Sequence, residues 1–140
     1  APALGIREGR RYKGVYCLTT QDLISGARFA DGICLVGYPV DIHGVTSAEA
    51  ASHTAHIYSK PYHIPYRSLI SGTIANLGFA GRCVSGNFYA HVSFRVTGNA
   101  VPMGEALGIA AGMAVQAETY FTDIDGRQVQ KRLLEQGHML

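Results

Sequence analysis

Tryptophan is absent, cysteine occurs three times, and no apolar run approaches the length of a bilayer. Cys17, Cys34 and Cys83 are far apart and odd in number, which excludes a disulfide framework and any CxxC metal knuckle. They read as buried free thiols. The most apolar stretch, Ala106 to Val115, is about half of the ~20 residues a membrane-spanning helix needs, and no signal-peptide pattern is present. Charge is also scarce. Twelve Lys and Arg against ten Asp and Glu leave +2, too little to favour nucleic acid or an anionic membrane. A cytoplasmic location is the expectation. The chain opens on Ala1 rather than Met, which reads as a processed product, a subunit or a fragment.

What the sequence does have is apolar bulk, 47% of 140 residues, and 17 glycines. That is enough for one globular unit with a sizeable core. The glycines gather at residues 76–117. There a short apolar strand, Leu77 to Ala80, runs into Gly81-Arg82. A polar, glycine-bearing linker follows, then a long helix with Asn99 as N-cap and Pro102 in its first turn. Gly104, Gly108 and Gly112 recur every fourth residue and so form one stripe. Each costs the helix about 1 kcal/mol relative to Ala, which calls for a neighbouring backbone or a flat ligand against the stripe. A strand, a glycine turn and a helix N-terminus suit a phosphate or a polar ring edge, through backbone N–H groups and the helix dipole. A unit packed closely for its own sake is the other reading.

Elsewhere the chain opens extended and basic, with Arg7, Arg10, Arg11 and Lys13. A helix capped by Thr19 or Thr20 runs to about Ala27, and Ile33 to Val36 is a buried strand. Polar and apolar residues alternate through Val40-Asp41-Ile42-His43. Residues 44–60 read as loop; His53 and His56 have HxxH spacing but lack a third ligand, so no metal is expected. Pro61 and Pro65 hold Tyr62 to Pro65 extended, and Tyr66 and Arg67 either line a cleft or belong to an amphipathic edge strand. A last helix, Gly126 to Gln136, turns Val129, Leu133 and Leu134 inward and stops at Gly137.

Four stretches together resemble the C-terminal part of an FAD-dependent oxidoreductase family. They are REGRRYKGVYCLTTQDL (7–23), FADGICLVGYPVDIHG (29–44), YHIPYRSLI (62–70) and NLGFAGRCVSG…AHVSFRV…ALGIAAGMAV (76–115). The resemblance implies an α/β chain: the C-terminal portion of a glutathione-reductase-like FAD-binding fold with part of a substrate-domain β-sheet. Residues 1–75 would be substrate-domain strands and loops, and 76–140 the FAD-contacting strand, turn and helices. Ala80, Gly81 and Arg82 would line the diphosphate and ribityl side of FAD. Thr97, Gly98, Asn99, Ala100 and Met103 would reach the ring, where a helix N-terminus stabilises the negative charge of reduced flavin.

The stretch around Arg95 is also similar to fumarate reductase flavoproteins, which implies a carboxylate-holding arginine. His43, His91 and Tyr66 are the candidate proton donors or acceptors and Arg67 a candidate oxyanion group, each with a structural role equally open. The implied reaction is hydride transfer between a small organic substrate and FAD; the alternative is a non-catalytic subunit that keeps the architecture. The strand–GxGxxG–helix that holds the ADP half of FAD in such enzymes has no counterpart here. A second polypeptide segment carrying it is therefore the expected partner.

Overall fold

The computed structural model describes residues 2, 5–42 and 57–140 of the chain. Helix α1, Thr20–Ser25, begins where expected because Thr19 and Asp22 cap each other. The Asp22 N–H donates to Thr19 Oγ1 at 3.3 Å, and Asp22 Oδ2 accepts from the Thr19 N–H at 2.8 Å. It ends at Gly26, whose φ of 68° is left-handed, a conformation glycine adopts without strain.

Strand β1, Gly32–Val36, pairs antiparallel with β2, Tyr62–Pro65, in the register Cys34 to Ile64, Leu35 to His63 and Val36 to Tyr62. These strands are a two-stranded sheet, buried at nearly every position. After Pro65 the chain tightens into a 3-10 turn, Tyr66–Ser68, rather than continuing extended to Ile70. The expected strand at Leu77 to Ala80 is reduced to a bridge between Ile70 and Gly78, flanked by Ser71 N–H to Leu77 O and Phe79 N–H to Leu69 O. Pairing cannot extend because Ser71 Oγ accepts from the Thr73 and Ile74 N–H groups and folds its own strand away.

The stretch expected to be a linker contains helix α2, Phe88–Phe94, capped by Asn87, whose Oδ1 accepts from the Ala90 N–H at 3.0 Å. Helix α3, Thr97–Gln116, starts two residues before Asn99, with Val96 at the N-cap position and no side-chain cap. Asn99 instead turns inward and donates from Nδ2 to Phe94 O at 3.2 Å. Pro102 therefore lies in the second turn and leaves the Gly98 carbonyl without its helical N–H. Helix α4, Gly126–Glu135, is capped by Asp125 and buries Val129 and Leu133, but Leu134 is 49% exposed and does not face inward. Gly137, at φ 92°, closes it as expected.

Helices α3 and α4 pack on β1, giving a mixed α/β chain whose core includes Leu18, Leu23, Ile33, Ile64, Met103 and Leu133. Met103, Ala106, Ala110 and Ala114 form the buried face of α3. The glycine stripe is on its other side. Cβ atoms built at Gly104, Gly108 and Gly112 would meet no heavy atom of the described residues within 4 Å. The backbone expected against the stripe is therefore absent among the described residues, and Val101 and Val115 are exposed beside it. No helix among the described residues is long and apolar enough to cross a membrane.

Candidate functional site

The chain reaches the site through Ala80, which is extended, and turns at Gly81, where φ is 79°. A side chain there would be strained, so glycine is required by torsion rather than by space: its nearest neighbour to an added Cβ is Ala100 Cβ at 3.9 Å. Gly81–Cys83 is one 3-10 turn, closed by the Val84 N–H on Gly81 O. His91 fixes it from behind. Its ring is fully buried on α2, and Nε2 lies 2.9 Å from Arg82 O, so Nε2 carries the proton and donates. Nδ1 has no partner, and the ring edge meets Phe94. Burial, ahead of all other causes, holds this imidazole below its ordinary pKa and keeps it neutral.

The first turn of α3 faces the same space. The Asn99 and Ala100 N–H groups turn back to Val96 O, at 3.1 and 3.2 Å. The Thr97 and Gly98 N–H groups find no backbone acceptor among the described residues, as expected of a helix start without a side-chain cap. Between the turn and the helix start is a cavity of 620 Å³ lined by Gly81, Arg82, Arg95, Thr97 and Ala100 from one wall, and Arg7, Tyr38 and Asp41 from another. The end of α2 anchors that second wall. Ser93 Oγ donates to Tyr38 O at 2.6 Å and receives the Tyr62 hydroxyl at 3.0 Å, while Arg95 donates to Asp41 O at 2.9 Å. Burial lowers the Arg95 pKa, with Arg7 adding to the fall and Asp41 opposing it, yet a guanidinium stays charged at neutral pH.

Five of the expected site residues thus meet in one cavity: Gly81, Arg82, Arg95, Thr97 and Ala100. The others are placed differently. Ala80 is half-buried just before the turn and accepts from the Cys83 thiol. Gly98 is exposed, Asn99 is nearly buried, and Met103 lies wholly in the core beneath the helix. Tyr66 and Arg67 line a separate cleft of 410 Å³ that shares no lining residue with the first. There Arg67 makes a bidentate pair with Asp31, at 2.8 and 3.1 Å, and lies over the Tyr16 and Phe29 rings. The Tyr66 hydroxyl donates to Phe121 O, and burial raises its pKa well above the usual phenol range. His43, His53 and His56 lie outside the described residues, and among the described residues no group of three or more His, Cys, Asp or Glu could hold a metal.

Arg7, Tyr38 and Asp41 were not singled out by sequence reasoning. Asp41 and Tyr38 sit on a segment whose alternation drew the eye to His43, and Arg7 belongs to a basic stretch that reads as a solvated face. The cavity offers cationic side chains, unpaired N–H donors and a side-chain-free turn, a donor set suited to the polyhydroxyl chain and heteroatom edge of a flavin. Neither the curated proteins nor the solved structures contain a match to the chain. A family model does match, over residues 1–133, and by that match the chain belongs to the FAD dependent oxidoreductase family, whose cofactor is FAD.

Proposed function

We propose that the chain is the C-terminal flavin- and substrate-contacting portion of a flavin-dependent oxidoreductase with a glutathione-reductase-like arrangement. The cavity between the Gly81–Cys83 turn and the start of α3 is its flavin side. One observation carries this reading. Residues assigned separately to the cofactor (Gly81, Arg82, Thr97, Ala100) and to the substrate (Arg95) line a single cavity, although they come from two stretches with a helix between them. FAD would supply two-electron hydride acceptance from a small organic substrate.

The chain's own residues bind and orient. Gly81 lets backbone approach without a side chain, and the Thr97 and Gly98 N–H groups with the α3 dipole favour negative charge at the helix start. Arg82 and Arg95 place guanidinium groups where an oxyanion can be held, and His91 acts through the turn it fixes rather than in the cavity. Tyr66 and Arg67, both fully engaged in another cleft, have no part in this reading.

A second segment carrying strand–GxGxxG–helix completes the site. The bare glycine face of α3, apolar on both sides of the helix, supports a close backbone neighbour of this kind. The test is the visible spectrum of the purified assembly, with and without added FAD. Bound flavin gives bands near ~370 and ~450 nm. A complete assembly that acquires neither band rules the reading out, and a co-purifying segment without the fingerprint counts against the two-segment form.

A further inference from the structure

The positive side chains of this chain fall into two groups by what answers them. Arg67, Arg127 and Arg11 each contact a carboxylate, of Asp31, Asp125 and Glu8. Arg82 and Arg95 donate instead to carbonyl oxygens, of Ile6 and Asp41. A carbonyl satisfies an N–H but leaves the net charge in place. With Arg7 these two converge on the 620 Å³ cavity, where Asp41 is the carboxylate-bearing residue lining the wall. Arg10 joins Arg7 and Arg82 around an adjoining hollow of 310 Å³, whose Glu8 is already held by Arg11 at 2.5 Å. Cationic charge thus exceeds anionic charge around a concave space.

Arg7 differs from the other two in what carries it. Residues 5–11 have no regular structure, and among the described residues the first backbone N–H of this segment to reach a backbone acceptor is that of Tyr12, on Cys83 O at 2.9 Å. The segment runs over the 81–83 turn as a strap, touching it through Arg82 on Ile6 O, and residues 5–10 are exposed. One arginine of the cluster is thus on a loosely held strap and two are on the packed frame.

We propose that this cavity binds a small ligand through an oxyanion, a carboxylate or a phosphate group, and that the strap closes on it by bringing Arg7 to the same anion as Arg95 and Arg82. The inference stands on the arginine arrangement and does not require the flavin reading. A carboxylate would belong to a substrate, and a phosphate to a nucleotide-like ligand.

Trypsin reads the strap directly, since it cuts after Arg10, Arg11 and Lys13. The purified protein in its native assembly is digested briefly with succinate or inorganic pyrophosphate as separate probes, against sodium chloride of matched ionic strength, and cleavage is followed by mass spectrometry. Cleavage should slow about tenfold once the effective probe is at about nine times its Kd, because the open fraction falls as 1/(1 + [L]/Kd). Protection by succinate assigns the site to a carboxylate ligand and protection by pyrophosphate to a phosphate; either or both uphold the proposal. Arg7→Gln, at an exposed position, should remove most of the protection without disturbing the fold, and Arg95→Gln should abolish binding. Protection by neither probe, or protection that survives Arg7→Gln, overturns it.

Discussion

Replacing Gly104, Gly108 and Gly112 together by alanine should move stability and assembly in opposite directions. In an exposed helix interior each glycine costs about 0.8–1.0 kcal/mol relative to alanine. The alternative, that a new methyl strains the fold, is excluded here because no heavy atom of the described residues lies within 4 Å of any of the three built Cβ atoms. The triple variant should therefore gain about 2.5–3 kcal/mol, if the substitutions act independently on successive turns. For a chain of this size that is a rise of roughly 7–12 °C in Tm. Urea unfolding should show a higher midpoint with an unchanged slope. The same three methyl groups would hold a neighbouring backbone away, so association with the proposed second segment should weaken. A variant less stable than the parent would show that the stripe is packed within the chain itself. A stabilised variant that assembles as before would remove the reason for a close backbone neighbour.

Three further outcomes follow from single residues. Gly81→Ala meets no clash, so its cost is torsional, about 1–2 kcal/mol less the entropy gained in the unfolded chain; denaturation should show a net loss near 1 kcal/mol and flavin retention should fall with it. His63 and His91 are both buried with pKa values lowered chiefly by burial, so below about pH 6.5 the unfolded chain takes up protons that the folded chain refuses. Stability should therefore decline as pH falls from about 7, with a limiting slope of about 1.4 kcal/mol per pH unit for each histidine, and His91→Gln should flatten the curve in urea titrations at pH 5.5 and 7.5. Asp31→Asn breaks the bidentate pair with half-exposed Arg67 and should cost about 1 kcal/mol while leaving flavin content unchanged, since that cleft is apart from the cavity.

Local signals with a single physical cause were the ones readable in advance. Thr19 with Asp22, the buried run Ile33–Val36, and Asp125 with Gly137 each specify their element within a few residues, and the structure places them accordingly. Signals that compete with tertiary packing misled. Asn99 has the chemistry of an N-cap, but the Phe94 carbonyl beside it is buried and takes its amide, so the helix starts earlier without a cap. Helix α2 was hidden because Phe88, Tyr89, Val92 and Phe94 favour strands, and only Asn87 marks its start. At the site, Gly81 was legible because one torsion demands it. Arg7 was not, because its place depends on a strap brought over a turn some 75 residues later in the chain.

The account's central claim is that FAD lies between the Gly81–Cys83 turn and the start of α3. A structure of the FAD-loaded assembly tests it most directly. The account predicts flavin density against Gly81, Arg82, Thr97 and Ala100, with His91 still holding the Arg82 carbonyl. Flavin in the Asp31–Arg67 cleft, or anywhere with that turn left bare, would contradict it.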